Sequence, residues 1–100
     1  MSVRASLAGN GQELVIQVDG RFDFSAHQEF RDAYESASQV RKYIVDLGGA
    51  TYLDSSALGM LLLLRDPAGG DHSESSITNC NDDVRKILAI SNFEQLFTIQ

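Results

Sequence analysis

The spacing of apolar residues divides the chain into short stretches of two kinds. Val3 to Leu7 alternates weakly and predicts a first strand. Leu14-Val15-Ile16-Gln17-Val18 is a β-branched run and predicts a second. Gly9-Asn10-Gly11 lies between them, and these residues tolerate positive φ, so the pair is expected as a hairpin ending at Asp19-Gly20-Arg21. The period then lengthens. Ser25 is expected to cap a helix, with Gln28 at the capping-box position. Phe30, Ala33, Tyr34 and Ala37 recur at i, i+3, i+4 and i+7, one buried stripe, with Glu29, Arg31, Asp32 and Glu35 solvated off it. Ser36-Ala37-Ser38-Gln39 ends this helix.

The central stretch, Tyr43 to Arg65, reads as strand, loop and capped helix. Lys42 to Asp46 has so little alternation that a central strand covered on both faces is expected. Gly48-Gly49 marks a loop, and Asp54-Ser55-Ser56 stands where the next helix begins. Backbone N–H groups there lack helical partners, and Ser or Asp side chains can accept from them. From Ala57 to Leu64 every residue except Gly59 is apolar. Leu58, Leu61, Leu62 and the stem of Arg65 are expected on the sheet. Met60, Leu63 and Leu64 then point partly away, with the first turn and Met60 the most exposed. The helix is expected to stop near Arg65-Asp66-Pro67, because proline cannot continue it.

Ala68 to Glu74 is a polar, glycine-rich connection, and Ser75 to Cys80 a short strand anchored by Ile77. Asn81 is a candidate cap, and Asp82-Asp83 suits the positive end of a helix dipole. Val84, Ile87, Leu88 and Ser91 carry the helical period; Phe93 to Leu96 adds a turn and Phe97-Thr98-Ile99 a short last strand. After the hairpin, strands and helices alternate, which implies parallel pairing with right-handed crossovers. The expected fold is α/β: one domain over residues 1–100, with a mixed four- to five-stranded sheet and helices mainly on one face.

Composition narrows what such a domain does. One hundred residues with 43 % hydrophobic and 22 % charged side chains suffice for one core without a disulfide or metal staple. Fourteen acidic and 8 basic side chains leave a net charge of −6, which argues against a nucleic-acid partner. Cys80 is the one cysteine, so no intramolecular disulfide forms, and it reads as a packing residue in a reducing compartment. Met1-Ser2-Val3-Arg4 lacks a signal-peptide core, and Met60 to Leu64 is too short to span a membrane. A cytoplasmic protein without membrane contact is expected.

Catalytic signatures are missing. There is no G-x-S-x-G elbow around Ser55 or Ser56, and His27 and His72 stand at a helix start and in a loop. No Gly-Lys-Ser/Thr comes after Gly48-Gly49, and no Cys/His cluster has metal spacing. Neither enzyme activity, nor a metal, nor a cofactor is expected. Two hydroxyls at a helix N-terminus remain, and such a position can carry an anionic group.

Asp46-Leu47-Gly48-Gly49-Ala50-Thr51-Tyr52-Leu53-Asp54-Ser55-Ser56-Ala57-Leu58-Gly59-Met60-Leu61 resembles the signature of the STAS domain family, specifically the bacterial anti-sigma factor antagonists. Gly20-Arg21-Phe22-Asp23 resembles the family's Gly-x-Leu-Asp after the second strand. Asn79, Val84-Arg85 and the Phe93 to Ile99 ending resemble its last third. Ala57 departs from the family, where glycine is common, and Asp71 to Ser76 is more polar than the usual strand.

The resemblance implies a partner switch without catalysis. Its phosphorylation site falls on Ser56, with Ser55 the runner-up. A serine kinase of the histidine-kinase-like ATPase type, often the anti-sigma factor itself, adds the phosphate, and a PP2C-type phosphatase removes it. The unphosphorylated form binds the anti-sigma factor and frees a sigma factor. The expected partner surface comprises Asp23, Tyr52, Asp54, Ser55, Ser56, Ala57, Met60 and Leu63. The alternative role is that of a STAS subunit in a transporter or lipid-trafficking complex.

Overall fold

The computed structural model describes residues 2–35, 40–68 and 75–99. Five strands form one sheet in chain order: β1 (Ser2–Ala8), β2 (Glu13–Phe22), β3 (Lys42–Leu53), β4 (Ser75–Thr78) and β5 (Thr98–Ile99). β1 and β2 are the antiparallel hairpin, and every later pair is parallel. The helices α1 (His27–Glu35), α2 (Ser55–Ala68) and α3 (Asp82–Ile90) are the crossovers. Gly9, Asn10 and Gly11 all take positive φ in the hairpin turn, as their residue types predict.

β3 departs from expectation twice. Gly48-Gly49 is not a loop: the strand runs on through both glycines to Leu53. Its pairing with β2 slips in register between Gln17 and Asp19 and again between Gly20 and Arg21. Gly20 holds a positive φ of 83° at the second slip, which lets the two strands continue together. A Cβ on Gly49 would run into the Asp19 carboxylate, so the glycine is what allows this pairing. Nor is β3 covered on both faces. Tyr43, Val45 and Leu47 are buried while Ile44 and Asp46 are half-buried, a one-sided alternation that the β-branched composition conceals.

The buried residues join in one core. Leu14, Ile16 and Val18 of β2 and Tyr43, Val45 and Leu47 of β3 meet Phe30 and Tyr34 of α1, with Ala57, Leu61 and Leu64 of α2 and Val84 and Leu88 of α3 beside them. Phe22, Phe30 and Tyr34 pack in sequence, the first pair tilted and the second edge-to-face, with ring centroids 5.1 and 5.8 Å apart. Phe93 and Phe97 close the far end at 5.8 Å. Ala37 and residues 69–74 lie outside the described residues, so the last position of the α1 stripe and most of the glycine-rich connection do as well. α2 is helical through Pro67 to Ala68, next to its expected end near Arg65-Asp66-Pro67.

Candidate functional site

β2 and β3 end side by side. Arg21 pairs with Tyr52 and Phe22 with Leu53, and the Asp54 N–H donates to the Phe22 carbonyl at 3.4 Å. The next residues of the two strands, Asp23 and Asp54, therefore leave the sheet together, although 31 positions separate them in the chain. Each carboxylate then organises a helix start. Asp54 accepts from the Ala57 N–H at 2.9 Å and is the cap of α2. Asp23 accepts from the Ser25 N–H at 3.0 Å and from the Ser25 hydroxyl, and caps a 3-10 turn (Phe24–Ala26) that leads into α1. The expected Ser25 cap is thus replaced by Asp23, whose carboxylate makes an Asx turn two residues earlier. Gln28 bonds forward to Asp32 at 2.8 Å rather than back to a cap.

The Ser25 hydroxyl and N–H, helped by Arg21 at 3.7 Å, hold the Asp23 carboxyl below the ordinary carboxylate range. Arg21 is also seated over the Tyr52 ring, 4.5 Å from its centroid. Tyr52 stays exposed, and so does Phe24, 68 % accessible and stacked on His27 at 5.5 Å. Phe24 and Arg21 do not stand out in the sequence as site residues. The signal for Phe24 is an aromatic between two turn-formers, off every periodic stripe.

Because Asp54 caps the helix, Ser55 and Ser56 are simply its first two residues. Ser55 is exposed and Ser56 half-buried. Among the described residues neither hydroxyl makes a side-chain hydrogen bond. Both are uncommitted at the end of the helix where unpaired N–H groups concentrate positive potential.

The facing of α2 needs correction. Ala57, Met60, Leu61 and Leu64 are the buried residues, at i, i+3, i+4 and i+7, and Leu58 is half-buried. Met60 is only 4 % accessible and is therefore not an exposed contact; Ala57 is likewise sealed. Leu62 and Leu63, 42 % and 51 % accessible, are the leucines that face out. A shallow groove between α1 and α2 is lined by His27, Phe30, Arg31, Tyr34, Met60 and Leu63. Gly59 sits on the same outer side. A Cβ built there meets nothing within 4 Å. Glycine inside a helix is about 0.5–1 kcal/mol less favourable than alanine, and no contact among the described residues calls for it.

Of the expected site residues, Asp23, Tyr52, Asp54, Ser55 and Ser56 come together at one end of the sheet, Leu63 lies two turns along α2, and Ala57 and Met60 support the helix from beneath. Among the described residues no three His, Cys, Asp or Glu side chains are grouped to hold a metal. Burial pushes the Cys80 thiol up, away from thiolate chemistry. Among the described residues no helix is long and apolar enough to cross a membrane.

A parallel sheet entered through a hairpin, with an Asp-capped apolar helix at its β3 exit, is the architecture of a STAS domain. The chain belongs to that family: residues 5–98 match the family described as Mlab, STAS domain. It is 66 % identical over 100 residues to a STAS-domain containing protein of Pseudomonas aeruginosa, covering 99 % of each chain. The fold is shared with the anti-sigma factor antagonist SpoIIAA of Bacillus, 18 % identical. The TM-score is 0.71 for its unphosphorylated form, over 89 % of this chain and 83 % of that one. It is 0.75 for the phosphorylated form, over 99 % and 91 %. A sulfate transporter family protein of Wolinella succinogenes also shares the fold, at TM-score 0.74 and 10 % identity over 91 % of this chain and 74 % of that one.

Proposed function

We propose that this domain is a phosphorylation-gated antagonist of an anti-sigma factor, with Ser56 as the gate. One observation carries the reading. Asp54 does the capping of α2, so among the described residues the Ser56 hydroxyl makes no side-chain hydrogen bond at the helix start, on a surface that also exposes Tyr52 and, two turns along α2, Leu63. The phosphorylated form of SpoIIAA, which shares this fold, supports it. In the unphosphorylated state the surface around Ser56 binds a serine kinase of the histidine-kinase-like ATPase type that also serves as the anti-sigma factor. The γ-phosphoryl group of ATP passes to Ser56 Oγ, the hydroxyl proton is lost and ADP leaves. A PP2C-type phosphatase returns the hydroxyl by hydrolysis.

The phosphate adds about −1.5 to −2 charge at neutral pH. The domain's own fold accepts it, because the helix dipole favours an anion there. A docked partner must instead strip water from a dianion beside Asp54 and Asp23, and such desolvation can exceed what any pairing returns. The contact surface consists of Asp23, Tyr52, Asp54, Ser55, Ser56 and Leu63, with Ala57 and Met60 holding α2 in place beneath it.

A second reading, service in a transporter or lipid-trafficking complex, draws on the Wolinella fold relative and on the family description. Affinity purification with the Ser56→Ala and Ser56→Asp forms separates the two. The first reading expects a soluble kinase on Ser56→Ala only, and mass spectrometry to place phosphate on Ser56 after incubation with that kinase and ATP. Equal retention of the kinase by both forms, phosphate only at other residues, or membrane ATPase subunits on both forms would sink it.

A further inference from the structure

We propose that the free edge of β1 is a dimerisation surface. Two copies of the chain pair their β1 strands antiparallel about a two-fold axis through Ala5, joining two five-stranded sheets into one.

β1 is one edge of the sheet, and its seven residues pair with β2 in unbroken register, from Ser2 opposite Asp19 to Ala8 opposite Glu13. Among the described residues no strand lies on its other side, where a row of backbone N–H and C=O groups is open to pairing. Sheet edges are ordinarily protected by proline, a bulge, added charge or shortness. β1 has no proline and no register slip, and its one charged side chain, Arg4, is held by Asp19 at 3.3 Å. The opposite edge, β5, is only two residues long.

Register also fixes the faces, because residues opposite each other in a sheet point to the same side. Val3, Ala5 and Leu7 stand opposite Val18, Ile16 and Leu14, which are buried, so the apolar face of the sheet continues to its edge. It is uncovered there: Leu7 is 60 % accessible and Ala5 is exposed. Ser2, Arg4, Ser6 and Ala8 take the other face.

A second copy fits this edge by side chain and by charge. For the apolar face to stay continuous, odd positions must oppose odd positions. An axis through Ala5 achieves this over the whole strand: Val3 opposes Leu7 of the second copy, Arg4 opposes Ser6, and Ser2 opposes Ala8. An axis through Arg4 would set two guanidinium groups directly opposite, which is destabilising. An axis through Ser6 would leave Ser2 and Val3 facing turn residues instead of strand. Residues 2–12 contain one base and no acid, in a domain of net charge −6, so the edge sets no acid against an acid. The axis runs perpendicular to the sheet. It keeps the helices of both copies on one face and turns the two Ser56 ends in opposite directions, so each stays open. A single strand pair is a small interface, which makes the dimer weak and concentration dependent.

Sedimentation equilibrium of the purified chain from about 10 µM to about 1 mM is expected to show monomer converting to dimer. Ala5→Lys, which sets two ammonium groups face to face at an exposed position, is expected to stay monomeric while melting like wild type at low concentration. The control Ile90→Lys on α3 dimerises like wild type. Cross-linking in a Cys80→Ala background reads the register. Under mild oxidant Ala5→Cys forms a disulfide-linked dimer, whereas Ala8→Cys, about 20 Å from its symmetry mate in this register, does not. A wild-type chain that stays monomeric throughout, dimerisation of Ala5→Lys at wild-type strength, or equal cross-linking of Ala8→Cys and Ala5→Cys overturns the proposal.

Discussion

α2 and α3 begin in the same way and end up as different surfaces. Each comes after a parallel strand of one sheet, and each is capped by an Asx side chain three residues before the N–H it accepts. Asp54 takes the Ala57 N–H at 2.9 Å, and Asn81 takes the Val84 N–H at 2.8 Å. Beyond the cap the two helices part. α3 opens with Asp82-Asp83, two acidic side chains at the positive end of its dipole. α2 opens with Ser55-Ser56 and has no acid in its first turn. The position that one helix fills with acidic side chains the other leaves to hydroxyls. A negative charge added at Ser56 therefore makes α2 resemble α3 electrostatically, which is why the fold tolerates it. The outer faces diverge too: α3 exposes charged side chains and Ile90, while α2 exposes Leu62 and Leu63.

If the two helices are equivalent as structural elements, truncating their buried leucines has similar consequences. Leu61→Ala and Leu88→Ala, both at fully buried positions, should each lower unfolding free energy by about 2–5 kcal/mol in urea titrations. A loss confined to one of them would break the equivalence. The caps sharpen it at a smaller scale: Asp54→Ala should lose about 1 kcal/mol, and Asn81→Ala more, because the Asn81 amide also donates to the Ala50 carbonyl at 2.9 Å; a larger loss at Asp54 than at Asn81 would assign Asp54 a further structural duty. The smallest effect separates fold from function. Ser56→Asp should leave stability unchanged or raise it by about 0.3–1 kcal/mol, as expected for an acid at a helix N-terminus. Thermal melts check this, and a clear destabilisation would show that charge at Ser56 acts by disturbing the domain rather than by blocking a docked surface.

The order of elements is legible in the sequence because each carries a distinct period. The Asn81 cap is legible too, since an Asn before two acids and a helical repeat leaves little choice of boundary. The facing of α2 is not. From Ala57 to Leu64 the residues are apolar on all sides, so the sequence contains no phase, and only packing selects 57, 60, 61 and 64 for the interior. The path of β3 through Gly48-Gly49 is hidden for a different reason. Two glycines ordinarily signal a turn, and here they admit the Asp19 side chain and a slipped register, which depend on a strand about thirty positions earlier. The pairing of Asp23 with Asp54 has the same origin. Their roles as caps are local, but their adjacency comes from parallel pairing of β2 with β3. Ser56 belongs to a local motif, and its uncommitted hydroxyl is explained only once Asp54 is seen to cap the helix.

The sheet's strand order carries a consequence for how the domain comes into being. Its strands lie in the sequence β1-β2-β3-β4-β5, each beside the one synthesised before it. No strand has to be threaded between two already paired, and every new strand meets an edge that is already available. β2, β3 and the opening turns of α2 are all in place by Leu64, so the end of the sheet that bears Ser56 is assembled before β4 and β5 are added. Chains that fold from the N-terminus as they emerge gain most from such an order, because each intermediate keeps a single growing edge. A late error in β5 would then leave Ser56 and its surroundings formed on a domain with one edge unfinished.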